Sequence, residues 1–345
     1  MLLAKINEPS AQKVSLMIKR LINLLIIAMA LTASSAFAVN CQRAATPLEN
    51  TICNNANLNW LDDTMSNVYR AMLVYRDAPS VHAEYVAWEK SLDDCSSDEC
   101  IERAYYAGIS KIAEAEPNFS WDGRWWNTSA ANMSGGVVQF SHSADWSITA
   151  DIRIWAGMNK DEFTAEARKI NGMVLIDDMV DSKKCKVLFI PRKSGAIQAY
   201  SNADWGCRLS MPSGAFIDGR YLKSDTDPRP KATLQSLAIF SDPKMDERFR
   251  ALVGNDYQKF VDTANIYIYT VDIDNVGATV VSMWVRGAAN TRTAIVMYAG
   301  SNIWAARIQP DGKGKLAFSY FSTLGNDAVL MPRTIAEWKL RYMDQ

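Results

Sequence analysis

Residues 41–53 read Cys41-Gln42-Arg43-Ala44-Ala45-Thr46-Pro47-Leu48-Glu49-Asn50-Thr51-Ile52-Cys53, a helix start held between two cysteines. Thr46 and Glu49 have capping-box spacing, and Pro47 falls at the first helical position, where its missing N–H costs nothing. A longer helix is expected next, with Leu61, Met65, Val68 and Met72 forming one apolar stripe. After Asp77-Ala78-Pro79, Ser80 is the expected cap of a third helix bearing Val81, Tyr85, Trp88 and Leu92. The run Asp93–Asp98 breaks the pattern, and a last helix carries Ile101, Tyr105 and Ile112 until Pro117 ends it. Residues 39–117 therefore read as a small antiparallel helical domain.

Upstream, residues 17–38 read MIKRLINLLIIAMALTASSAFA. Lys19 and Arg20, an apolar run from Leu21 to Leu31 and the small-x-small close Ala36-Phe37-Ala38 form a cleavable secretory leader. The apolar run is too short for a span of about 20 residues. Residues 1–16 read as an extension ahead of a true start at Met17. Asn40 is a poor neighbour for a lipidated Cys41, so the expected product is soluble, periplasmic and without stable membrane insertion. Cleavage after Ala38 removes Lys5, Lys13, Lys19, Arg20 and Glu8, leaving 33 basic and 37 acidic residues. That balance excludes a sequence-independent nucleic-acid binder, which needs a basic surface. All six cysteines survive, and in an oxidising compartment they read as three disulfides.

From Phe119 the period falls to two. Strands are expected at 137–140, 146–154, 163–169, 186–190, 197–200 and 216–221, making residues 118–223 an all-β sandwich or small barrel. Lys193-Ser194-Gly195 is a turn signal, and Cys185 and Cys207 flank that hairpin at its open end, so they are expected to pair. Residues 224–233 read as a stiff polar linker. Residues 234–345 are expected to form an α+β domain. Its elements are a helix near Met245–Val261, four antiparallel strands at 279–285, 293–298, 303–308 and 315–321, and a closing helix capped by the box Thr334-Ile335-Ala336-Glu337.

The helical segment carries the most specific signature. The series Cys41-x4-Thr46-Pro47-x-Glu49-x2-Ile52-Cys53, Leu61-Asp62, Tyr69, Trp88-x6-Cys95-x4-Cys100 and Tyr105 resembles the LprI-type lysozyme-inhibitor N-terminal family over about residues 41–113. Tyr85 stands where that family commonly has Gln, and Ser91-Leu92 replace a frequent Arg-Asp approach to the third cysteine. The resemblance implies a disulfide-bonded helical module in an exported bacterial protein, with lysozyme or another basic cell-wall enzyme as the implied partner. Three connectivities are open to Cys41, Cys53, Cys95 and Cys100, and crossed pairs stapling the first helix to the turn between helices three and four are preferred. A zinc site is the rival reading, but the gaps lack metal-ligand spacing. More loosely, Trp121-Asp122-Gly123-Arg124-Trp125 resembles the Gly-x-Trp first strand of lipocalin-like barrels.

Asp93, Asp94, Asp98, Glu99 and Glu102 place five carboxylates in ten residues without a basic residue among them. The plain reading is a solvated loop whose acids offset a helix dipole. The sharper one is an acidic face that docks on a basic enzyme, where complementarity raises the association rate. Catalysis is poorly supplied: His82 and His142 are the two histidines, and neither sits in a nucleophile or metal motif. Asp272-Ile273-Asp274-Asn275 lacks the Gly and distal Glu of a calcium loop and reads as a turn. Trp125, Trp126, Trp146, Trp155 and Trp205 read first as core packing and second as a binding surface. The expected function is a non-enzymatic periplasmic binding protein, without catalytic residue, metal or cofactor, that blocks a lysozyme-like cleft through the helical domain. The alternative is an envelope ligand-binding or assembly factor using residues beyond 117, and a cell-wall hydrolase ranks last.

Overall fold

A computed structural model describes residues 38–177, 185–202, 207, 211–325 and 331–343. The leader up to residue 37, and Trp205, lie outside the described residues.

The helical unit contains α1 (Pro47–Asn54), α2 (Ala56–Tyr75), α3 (Ala78–Ser91) and α4 (Asp98–Ile112), with a 3-10 turn at Leu92–Asp94. The capping box at Thr46 forms on both sides: its hydroxyl accepts from the Glu49 N–H at 3.1 Å, and the Glu49 carboxylate accepts from the Thr46 N–H at 2.8 Å. Ser80 is not the cap of α3. Asp77 takes that role, its carboxylate accepting from the Ser80 N–H at 3.0 Å, because Pro79 is tolerated inside the first turn. Trp88 packs against α4 and donates to the Ala104 carbonyl at 2.9 Å. A Cβ at Gly108 would stand 2.1 Å from the Trp88 ring, so only glycine permits this approach.

The β segment closes into a barrel, which decides between sandwich and barrel. Its eight antiparallel strands are β1 (Gly123–Asn127), β2 (Ser134–Ser141), β3 (Ser147–Ala156), β4 (Asn159–Ile170), β5 (Met173–Ile176), β6 (Val187–Pro191), β7 (Ile197–Ser201) and β8 (Gly219–Lys223). Each pairs with the next, and β8 returns to β1 with Trp126 opposite Leu222. The interior is filled by alternate side chains, among them Ile148, Ala150, Ile152 and Ile154 of β3 with Trp125, Phe140, Phe189 and Tyr221. Full closure removes the sheet edges that an open sandwich would leave. The strand expected at 216–221 starts only at Gly219, where φ is +133°. Cys185 and Cys207 are bonded at a Cα separation of 4.2 Å, beside the start of β6 and beyond the end of β7.

Two strands break the alternation: β5 and β6 are buried along their whole length. Val174, Ile176, Val187 and Phe189 point into the barrel, while Met173, Leu175, Leu188 and Ile190 share a core with α2, α3 and α4. The helical unit therefore packs on the outer wall of the barrel. Its edges are fixed by Ser110 donating to the Asn171 carbonyl at 2.6 Å and Lys186 donating to the Asn57 side chain at 2.7 Å.

The last segment has α5 (Pro243–Val253), α6 (Tyr257–Thr263), β9 (Ile266–Thr270), β10 (Thr279–Trp284), β11 (Thr293–Ala299), β12 (Asn302–Pro310), β13 (Leu316–Ser322) and α7 (Arg333–Met343). The single helix expected over 245–261 is broken at Gly254, whose φ of +54° ends α5 and leads into a 3-10 turn. The sheet has five strands in the order β13-β12-β11-β10-β9, one more than expected. Val281, Met283, Val296 and Ala305 face α5 and α6, while Val280, Ile295, Met297 and Trp304 face α7, so helices cover both sides. Thr334 does not start a capping box. The Asp274 carboxylate, from the turn before β10, accepts from the N–H groups of Arg333 and Thr334 at 2.8 and 2.9 Å and caps α7 from a distance. Residues 224–233, expected as a stiff polar linker, are tied to the barrel by hydrogen bonds. Arg229 pairs with Asp227 and donates to the Ser134 carbonyl at 2.7 Å, and Trp126 donates to the Ser224 carbonyl at 2.9 Å, so the segment lies along the barrel.

Candidate functional site

The acidic turn begins where α3 stops. Leu92 is buried as a plug, the 3-10 turn carries Asp93 and Asp94 outward, and Ser97 caps α4 by accepting from the Cys100 N–H at 3.3 Å. Asp93, Asp94, Asp98 and Glu99 are exposed, and Glu102 is half-buried. None of the five forms an ion pair among the described residues. Hydrogen bonding at the helix start, with the Ser97 hydroxyl and Arg103 adding to it, holds the Glu99 carboxyl below the usual range.

The crossed cysteine pairing is overturned. Cys41 bonds Cys53 and Cys95 bonds Cys100, with Cα separations of 5.5 and 5.4 Å. Each bridge closes a local loop: one ties the lead-in segment to the last turn of α1, the other closes the acidic turn on itself. The link between the two regions is polar instead. The Asn55 amide donates to the Asp98 carboxylate at 2.8 Å, bordering an open shelf lined by Asn50, Thr51, Asn54 and Asn55.

A second concavity, of about 700 Å³, lies where the helical unit meets the β6–β7 hairpin, and it was not foreseen. Tyr75, Arg76, Arg192, Lys193, Tyr200 and Arg220 line it. Arg76 is neutralised by Glu84, at 2.7 Å, and by Glu114, at 3.4 Å, and Lys193 shares Glu114 at 2.9 Å. Arg192 donates to the Ala113 carbonyl at 3.1 Å and the Met72 sulfur at 3.2 Å. Burial pulls its pKa down, and neither it nor Arg220 has a carboxylate partner among the described residues. These residues come from three separate stretches of chain, so sequence spacing could not assemble them.

The remaining candidates fall apart on placement. His82 lies 3.0 Å from the Tyr69 hydroxyl, and His142 sits in a turn 3.1 Å from the Ser141 hydroxyl, far apart in sequence and in different units. Among the described residues no group of three His, Cys, Asp or Glu side chains is arranged as a metal site. Trp125 is core, Trp126 and Trp155 meet edge to face outside the barrel at 6.5 Å, and Trp146 is 71% exposed. No helix among the described residues is long and apolar enough to cross a membrane.

Comparison with known proteins shows a likeness to mycobacterial lipoproteins. Lipoprotein LprI of Mycobacterium bovis and of Mycobacterium tuberculosis is 26% identical over 84 residues, covering 23% of this chain and 43% of each relative. The match thus spans less than half the length of these relatives, and the likeness is a distant, partial one. No family model matches, and no solved structure matches.

Proposed function

We propose that this chain is a non-enzymatic binding protein of the bacterial envelope, exported to the periplasm, whose helical unit docks on a basic cell-wall enzyme of the lysozyme class. The observation that carries this reading is the turn closed by Cys95–Cys100, which presents Asp93, Asp94, Asp98 and Glu99 to solvent with no ion pair among the described residues. A rigid turn loses little conformational freedom on binding, and unpaired surface carboxylates steer a cationic partner. The distant likeness to LprI and the family signature in residues 41–105 support the choice of enzyme class. Cys41, already bonded to Cys53, has no free thiol for a lipid anchor, in keeping with a soluble product. The test is a titration of the protein against c-, g- and i-type lysozymes. Slowing that weakens with added salt is expected, and no slowing of any of them at micromolar concentration refutes the reading.

A second reading is favoured by the groove. Arg192 and Arg220 stand beside Tyr75 and Tyr200 without a carboxylate partner, a setting suited to an anionic envelope ligand such as a carboxylate-bearing wall fragment. Calorimetric titration with such fragments, with Arg220→Gln as the control, decides this reading independently of the first.

A further inference from the structure

The main-chain nitrogen of Val39 donates to one oxygen of Asp62 at 2.5 Å, and the Tyr105 hydroxyl donates to the other at 2.8 Å. Asp62 lies on α2 and is only 6% exposed. Its burial raises the carboxyl pKa, working against those two hydrogen bonds. The charges that face it deepen the problem. Asp63 on the same helix and Glu89 on α3 are both acidic, and the neighbouring Tyr85 and Tyr105 are neutral phenols whose ionisation burial disfavours. No cation is paired with Asp62 among the described residues. A buried carboxylate without a counterion is a costly arrangement.

The missing cation can come from the chain itself. Val39 directly follows Ala36-Phe37-Ala38, the small-x-small sequence that a leader peptidase cuts. The cut adds water across one peptide bond, leaving a carboxylate on Ala38 and an amine on Val39 that takes up a proton at neutral pH. The nitrogen already touching Asp62 then becomes an ammonium. We propose that the Ala38–Val39 bond is a processing site and that the new α-ammonium of Val39 forms a buried ion pair with Asp62, locking the start of the mature chain onto α2. The approach is prearranged. The Asn40 carbonyl accepts from the Arg43 N–H at 2.8 Å, and Cys41, two residues on, is bonded to Cys53. This inference rests on the export reading for its cleavage step, whereas the pairing is a property of any chain that begins at Val39.

The test uses the full chain exported from a bacterial host. Intact mass of the product is expected to show Val39 as the first residue, and a different first residue overturns the processing site. The Val39-terminated protein, its Nα-acetylated form and their Asp62→Asn counterparts are then compared by denaturation. At pH 7 the free amine is expected to raise the folding equilibrium constant at least about tenfold over the acetylated form, or about 1.4 kcal/mol. That gap should vanish with Asp62→Asn, since coupled partners are non-additive. The pH dependence carries the sign. With the free amine, the contribution of the pair should be fully present below the ordinary α-amino range of about 7.7–8.0, down to where Asp62 itself takes up a proton, and fall as pH rises through the elevated folded value of the amine. In the acetylated form the raised Asp62 carboxyl should instead make stability fall as pH climbs out of the acid range. Equal stability of free and acetylated forms overturns the pairing even when Val39 is first. Should Asp62→Asn fail to fold, NMR titration of the Val39 amine in the unsubstituted protein decides, and an ordinary α-amino value sinks the pairing.

Discussion

Asn55 holds two regions at once: its side-chain oxygen caps α2 by accepting from the Asn57 and Leu58 N–H groups at 3.0 and 3.2 Å, and its amide donates to Asp98 at 2.8 Å. One side chain thus sets the start of the 20-residue helix α2 and the position of the acidic turn. Asn55→Ala should cost about 1–2 kcal/mol from the lost cap. Denaturant titration measures that loss, and a change below 0.5 kcal/mol (roughly the scatter of an ordinary surface substitution) would show the cap to be idle.

The acidic turn should act through rate. Replacing Asp93 and Asp94 with Asn is expected to slow association with a basic lysozyme and flatten its salt dependence, with a smaller effect on dissociation. Stopped-flow binding at two ionic strengths separates these effects. Asp98 is left intact because of its bond to Asn55.

Gly108→Ala places a methyl where the Trp88 ring stands, 2.1 Å from the ideal Cβ. Overpacking of this kind costs typically about 1–3 kcal/mol, against a helix-propensity gain of up to about 1. A net loss of stability with a shifted Trp88 fluorescence spectrum is the expected result.

Leu188→Ala probes the wall between the units. Leu188 is fully buried among helical residues, so the substitution should cost about 2–5 kcal/mol. Helical and barrel signals should lose stability together. Loss confined to far-UV helical signal would mean that the two units unfold separately.

Acid should loosen the Arg76 cluster. The Arg76 hydrogen bond holds the Glu84 carboxyl below its ordinary value of 4.5. A depressed folded pKa contributes stability above the unfolded value that is lost as pH falls through the folded one. Glu84→Gln should therefore lower stability at neutral pH and reduce the acid sensitivity below about pH 4.5, readable as converging denaturation midpoints.

Much of this architecture is legible from local patterns. The stripes Leu61–Met72 and Val81–Trp88, the Thr46 box and the change of period at Phe119 gave helices and strands close to those observed. The fold class follows from them. What escaped depends on contacts across the chain. β5, at Met173–Ile176, is not among the expected strands: its four apolar residues show no alternation, and that run exists because both of its faces are covered. The α7 box failed because a carboxylate sixty residues away supplies the cap. The crossed cysteine pairs failed because loop closure, which sequence leaves open among three choices, was decided by local turns. The acidic cluster could be named in advance, whereas the cationic groove needed three distant stretches brought together.

The doubly covered wall of β5 and β6 has a bearing on ancestry and engineering. A barrel cut free of its helices would bare Met173, Leu175, Leu188 and Ile190 to water, a sticky strip that invites self-association. The two units are therefore poor candidates for separate reuse. A helical module of this kind, grafted onto another scaffold, would have to bring or find an equally apolar seat, which in this chain β5 and β6 supply.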